Sequence, residues 1–385
     1  MASLVEAKQE TLSSNLREKL SQTRYACSSL KQLSGGSTNY VYRGTLSRRH
    51  STGFLSVSRD FAIDMTRCEY EETMLNALTD FSFRTPTTIA RTPRLYISIR
   101  DAETTIQVHE DFSDATDLRA VLLPSTARDH DQMSSLFSSP LDLGRKIGSW
   151  LRGFHTWADA PAQESLRREI GRNQPMRKLK HRVNYGNLIR ILEKFLDVVG
   201  CSSEDMEALQ NVRDVADKEL ARPPTVMGEY WGMIHGDFCM LNVLISTGPM
   251  VERGETRQVD KLSIIDWELA QFGHRAYDLG HMIGDLCEQK HFNDADSAMS
   301  CVRGFVEGYG GLTDELAFRT AIHAGTQLIG GYYRRPQRGG VKAPEDMVVD
   351  MLRFAKEFVV KGWERDRAWF EGSILAPLFA TRMAG

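Results

Sequence analysis

The spacing of apolar positions divides the chain into a strand-rich first third and a helical remainder. Residues 1 to about 30 are polar, with Leu12, Leu16 and Leu20 at helical spacing, which predicts a weakly amphipathic helix lying on the body of the protein. A Gly35-Gly36-Ser37-Thr38 turn followed by the alternating Tyr40-Val41-Tyr42-Arg43 predicts a hairpin. Thr66 to Leu78 reads as a helix, and the stretch ending at Glu110 as two alternating strands around an Asp101-Ala102-Glu103 turn. These strands complete a five-stranded sheet. From Asp114 onward the pattern turns helical, with Leu141 to Trp157, Leu188 to Val198 and Met206 to Leu220 as the clearest segments. Near the C-terminus Met347, Met351, Phe354, Phe358 and Val359 form one apolar stripe.

One strand-like interruption stands inside the helical part. An apolar run beginning at Val243 and a second from Leu262 to Ile265 are separated by a Gly- and charge-rich segment, Gly248 to Asp260, read as a loop between paired strands. Such a hairpin brings Asn242, just before the first strand, and Asp266, just after the second, to the same end. Asp237 lies on the segment leading in. Two carboxylates and an amide oxygen converging at a strand end make a hard-oxygen site suited to Mg²⁺, with one carboxylate left over as a base.

Composition narrows the field without naming a chemistry. The 385 residues are 41% hydrophobic and 26% charged, ordinary for a globular protein of two or three compact units. A net charge of −3 gives no general pull toward nucleic acid or anionic membrane. No apolar run approaches spanning length, and the first residues lack the basic-then-apolar layout of a signal peptide. The six cysteines (27, 68, 201, 239, 287 and 301) have no C-x-x-C pair or zinc spacing, and read as reduced thiols of a cytoplasmic protein. No P-loop signature occurs, nor a G-x-S-x-G serine elbow. The basic run Arg177 to Arg182 reads by default as a solvated helix face, with a site for an anionic substrate group as the alternative. The acceptor and the oligomeric state are not legible.

The segments H-G-D-x-x-x-x-N, from His235 to Asn242, and I-D-W-E, from Ile265 to Glu268, resemble the aminoglycoside phosphotransferase and choline kinase family of the protein-kinase-like fold. The resemblance covers roughly residues 33 to 310. It implies an α+β protein of two lobes. After a helical extension (1–30) come a small antiparallel-sheet nucleotide-binding lobe (31–112) and a larger, mainly helical catalytic and substrate lobe (113–385). It also implies ATP and Mg²⁺ as cofactors and transfer of the γ-phosphoryl to a hydroxyl of a small molecule. Asp237 is then the base, Asn242 and Asp266 the metal ligands, and Glu268 a further group near the metal. Gly36, Asn39 and Arg43 fit the family's G-x-x-N-x-x-x-R, so Gly35, Gly36 and Ser37 become the loop over the phosphates. Glu71, on the pattern E-x-x-x-L with Leu75, becomes the helix glutamate; His155 and Asp278 take structural places.

The pattern breaks at the phosphate-binding lysine. No lysine occurs between Lys31 and Lys146, and the stretch Ser51 to Asp64 stands where the lysine strand is expected. Arg59 is the nearest cation, followed by Arg48 and Arg49, and an arginine fork is not equal to a point-charge ammonium. Arg59 standing in, a lobe with reduced nucleotide grip, and a strand lacking a piece are the three alternatives. The rival function is a non-catalytic, pseudokinase-like binding protein. The intact Asp237, Asn242 and Asp266 favour the enzyme.

Overall fold

The computed structural model describes the chain apart from residues 1–12, 22, 24, 26, 28, 29, 34–38, 44–46, 52–63, 102, 103, 124–138, 224–227, 253, 254, 334–342 and 381–385. Gly35, Gly36, Ser37 and Arg59, expected around the phosphates, lie outside the described residues, as does Leu12.

The N-terminal part is a five-stranded antiparallel sheet in the order β1-β2-β3-β7-β6. Its strands are β1 (Lys31–Gln32), β2 (Asn39–Arg43), β3 (Ser47–Ser51), β6 (Leu95–Arg100) and β7 (Thr105–His109). Helix α1 (residues 13–21) presents Leu16 and Leu20 to it, and they bury against Tyr25, Tyr42, Ile106 and Val108. The N-terminal extension therefore shares one core with the sheet. The central strand β3 runs from Ser47 to Ser51, earlier in the chain than the expected Ser51 to Asp64. It is fixed by pairing on both sides, Arg49 with Val41 of β2 and with Gln107 of β7.

Helix α2 (Arg67–Leu78) crosses between the two parts, and its Met74, Leu75 and Leu78 belong to the large hydrophobic core of the C-terminal part. A second five-stranded sheet has the order β4-β5-β11-β10-β8. Its strands are β4 (Phe83–Thr85), β5 (Thr88–Arg91), β8 (Thr116–Asp117), β10 (Val243–Glu252) and β11 (Glu255–Ile264). The segment Gly248 to Asp260, expected as a loop, is therefore mostly strand. β10 and β11 pair continuously from Val243↔Ile264 to Glu252↔Glu255. Parallel pairing of β11 with β5, from Asp260 opposite Thr88 to Ser263 opposite Arg91, anchors the base of this hairpin to a partner distant in sequence.

The rest is helical: α3 (Pro140–Asp159), α4 (Gln174–His181), α5 (Ser203–Ala221), α6 (Ala276–Asn293), α7 (Asp296–Tyr309), α8 (Asp314–Gly330) and α9 (Glu345–Glu364), with shorter turns between. Ser139 caps α3 by accepting from Asp142 N, Pro140 opens its first turn, and Leu143, Ile147, Trp150, Leu151 and Phe154 form its buried stripe. α3 lies against α7 at backbone contact. A Cβ on Gly148 would stand 2.0 Å from Phe305 O, and one on Gly304 would stand 1.9 Å from Leu141 O, so side chains on either face would force the helices apart. Among the described residues no helix is long and apolar enough to cross a membrane.

Candidate active site

Strand β9 (Trp231–Ile234), wholly buried and paired with β12 (Gln271–His274), delivers the chain to His235-Gly236-Asp237. Gly236 has φ 82°, and a Cβ there would meet Leu269 O at 2.1 Å, so both the turn and the close approach require glycine. From the first turn of α6, the fully buried Asp278 carboxylate clamps this turn. It accepts the backbone N–H of His235 at 2.8 Å and of Gly236 at 2.9 Å. Burial alone would raise the Asp278 carboxyl, but hydrogen bonds and charge from His155 and His235 hold it below the usual carboxylate range.

The histidines behind the loop are neutral donors. Burial pushes the pKa of both His155 and His235 down. His155 Nε2 stands 3.2 Å from Asp278 Oδ2 and its Nδ1 stands 2.9 Å from the hydroxyl of Tyr309, itself pushed up to about 12 by burial. A neutral ring that donates through Nε2 and accepts through Nδ1 satisfies both contacts. His235 Nε2 likewise donates to Ile265 O at 3.1 Å, joining the catalytic turn to the strand end before Asp266.

At the root of the β10–β11 hairpin three side chains converge. Asn242 immediately precedes Val243, whose partner is Ile264, and Ile265 N donates to Asn242 O at 3.0 Å. The Asn242 amide donates to Asp237 O at 2.9 Å and to Asp237 Oδ2 at 3.2 Å, which leaves its own oxygen available to a cation. Asp266 adopts the left-handed conformation, φ 69° and ψ 61°, a strained state for a side-chain-bearing residue. It is held there by its neighbours. Trp267 is buried with Nε1 donating to Ile264 O, and its ring lies 4.4 Å from that of His235.

Glu71 is buried on α2, one turn after Arg67. Arg67 Nε lies 3.1 Å from Glu268 Oε2, with both side chains buried, so Glu268 ties α2 to the segment after Asp266. Glu72 pairs instead with Arg100 on β6. The structure thus gathers Asp237, Asn242 and Asp266, and docks the helix of Glu71 against the same segment.

One further side chain touches the candidate base, and a second touches that one in turn. His281, on α6, has Nδ1 3.4 Å from Asp237 Oδ1 and 2.9 Å from Lys180 Nζ of α4. The sequence held a signal for the first. Asp278, His281 and Asp285 are polar residues at i, i+3 and i+7 of a helix whose stretch from Ala276 to Cys287 is otherwise mostly apolar, all on one face, and all three are buried.

Residues 29–319 match the phosphotransferase enzyme family. A curated relative, Phosphotransferase FrzJ of Cladobotryum sp, is 28% identical over 403 residues, covering 98% of this chain and 99% of that protein. Among solved structures, a choline/ethanolamine kinase family protein from Mesorhizobium loti is 15% identical, with 95% of this chain and 98% of that one covered and a TM-score of 0.47. A GDP complex of an aminoglycoside 2'-phosphotransferase-IIIa mutant is 14% identical, with 94% and 99% covered and a TM-score of 0.49. With the family match extending from β1 to the first turns of α8, the chain belongs to the phosphotransferase enzyme family.

Proposed function

We propose that this protein is an ATP-dependent small-molecule kinase that phosphorylates a hydroxyl group. The observation that carries the proposal is the assembly of Asp237, Asn242 and Asp266 at one end of the β10–β11 hairpin, with the Asn242 amide bonded to Asp237. FrzJ, a phosphotransferase by name and similar over nearly its whole length, supports the same reading.

The donor set fits Mg²⁺. Asn242 presents an amide oxygen, Asp266 a carboxylate, and hard oxygen donors are what this ion takes. These two residues would hold it, and when bound it neutralises charge on the nucleotide phosphates. Asp237 orients the acceptor hydroxyl and takes its proton as the acceptor oxygen bonds to the γ-phosphorus. The bond from that phosphorus to the ADP oxygen breaks at the same centre. Asp278 keeps the loop rigid, so that positioning contributes to the rate.

The test is ADP release from MgATP across a panel of hydroxyl compounds: amino alcohols, choline, sugars and aminoglycosides. Acceptor-dependent ADP release and a phosphorylated product are expected, with Asp237→Asn lowering kcat about 10²-fold or more. The absence of lysine from residues 32 to 145 favours a second reading, a nucleotide- or metabolite-binding protein without transfer. Nucleotide binding with no product on any acceptor, and no difference between wild type and Asp237→Asn, would establish that second reading.

A further inference from the structure

The basic run Arg177 to Arg182 is not one solvated face. Lys178 and Arg182 are exposed, while Arg177 and Lys180 are turned inward. Arg177 caps the end of α5, donating to Glu219 O at 3.1 Å and to Arg222 O. Lys180, only 5% exposed, lies in the last turn of α4, just before the π-helical turn Arg182–Gly186, and reaches the candidate active site.

The chemistry of the contact fixes who donates. A lysine ammonium has three N–H donors and no acceptor, so His281 Nδ1, 2.9 Å away, is the acceptor and the ring carries its proton on Nε2. Asp237 Oδ1 is 3.4 Å from that same nitrogen. The Nδ1 lone pair thus faces a carboxylate oxygen, and the charge of the ammonium bonded to Nδ1 offsets that repulsion. The ammonium is thus the positive group Asp237 meets on this side, no farther off than the two distances together. Asn242 holds the other oxygen, Oδ2.

Donor atoms of Cys239, His281 and Asp285 all lie within 4.8 Å of one another, a grouping that a zinc ion also takes. Lys180 decides against the ion. A metal on Nε2 would send the ring proton to Nδ1, directly against the ammonium. The cation bonded to this buried cluster is Lys180, through His281 Nδ1.

We infer that Lys180 is a positioning residue for phosphoryl transfer, acting with His281 to hold the Asp237 carboxylate in register with the acceptor hydroxyl. The inference rests on the kinase reading, and its test separates the two. ADP release from MgATP is measured with water as acceptor and with any acceptor found in the panel. Lys180→Met keeps the apolar stem and removes the charge. It is expected to lower kcat about 10- to 150-fold, the effect of one charged hydrogen bond, with KM for MgATP within about twofold. Lys180→Arg should restore part of the loss. In an Asp237→Asn background Lys180→Met should add nothing, because the group it positions is gone. An equal loss in both backgrounds, or full kcat in Lys180→Met while Asp237→Asn is inactive, overturns the inference. An active Asp237→Asn overturns the kinase assignment of the base instead. A readout free of activity is the imidazole ¹⁵N spectrum of the wild type, with His281 assigned by difference from His281→Gln. An Nε2-protonated ring is expected, and an Nδ1-protonated ring overturns the donation from Lys180.

Discussion

Arg67 and Glu268, 201 positions apart, form a buried ion pair with Nε 3.1 Å from Oε2. The contact fastens α2, which carries Glu71, to the turn that follows Asp266. Neither side chain has water to replace its partner, because their exposures are 0% and 1%. Removing one partner therefore strands a charge, and Arg67→Met or Glu268→Leu alone should cost about 3–5 kcal/mol. The double substitution should cost much less than the two singles together, since apolar groups of similar volume replace both charges. Urea denaturation of the four proteins measures this; additive losses would mean that each residue acts separately.

The metal position gives a test independent of the acceptor. ATP should raise Tm only in the presence of Mg²⁺ if Asn242 and Asp266 hold the ion, because a ligand of the native state stabilises it by mass action. Asp266→Ala should abolish the Mg²⁺ dependence. The same substitution also changes the residue at φ 69°, so the ligand-free protein should be destabilised by about 1 kcal/mol, since aspartate tolerates this conformation better than alanine. A wild-type Mg²⁺–ATP shift in the variant would remove Asp266 from the site.

These residues were legible in the sequence because their relation is local. Asn242 and Asp266 flank two strands that pair directly, so the hairpin itself brings them together. The contacts missed are those between elements whose packing no spacing encodes: Arg67 with Glu268, and Lys180 with His281. Lys180 belongs to a run whose other members do solvate or cap, so charge density alone pointed to the wrong face. Gly248 to Asp260 looked like a loop because Gly248, Pro249 and its charges suppress strand propensity. Continuous pairing of β10 with β11 along the hairpin overrides that preference. The stretch Ser51 to Asp64 lies almost wholly outside the described residues, while β3 is held by its neighbours β2 and β7 rather than by its own polar sequence.

The absent lysine leaves Arg59, outside the described residues, and Arg49 of β3 to be tested as its replacement. The register sets Arg49 opposite Gln107, and the Gln107 side chain donates to Cys68 O of α2 at 3.1 Å. Arg49→Ala should weaken MgATP binding about 10- to 150-fold, the worth of a charged hydrogen bond to phosphate. Arg59→Ala should weaken it less than threefold. Titration calorimetry of both variants decides, and the reverse ranking would restore Arg59 to the phosphate site.

Acid should unfold this protein through its histidines before its carboxylates. His155, His181, His235, His274 and His323 all have their pKa pushed down, burial being the first cause in each. His323 is the cleanest case: fully buried, it shares a 2.9 Å hydrogen bond with Tyr185 and stacks 4.5 Å from Tyr277, while Lys180 and Arg319 add repulsion to any proton it takes. The unfolded chain binds protons on these rings below pH ~6.5, where the folded chain still excludes them. More protons on the unfolded state mean that stability rises with pH through this window and falls as acid is added. Each depressed imidazole contributes a loss of about 1.4 kcal/mol per pH unit below that value, until its folded pKa is reached. Asp278, also depressed, loses its contribution only as the pH falls below the unfolded carboxylate value near ~4, so it is silent in this range. Denaturation midpoints at pH 7.5, 6.5 and 5.5 should fall steeply over the last step, and His323→Gln should flatten the slope. A midpoint unchanged from pH 7.5 to 5.5 would show that the buried rings are protonated equally in the folded and unfolded chains.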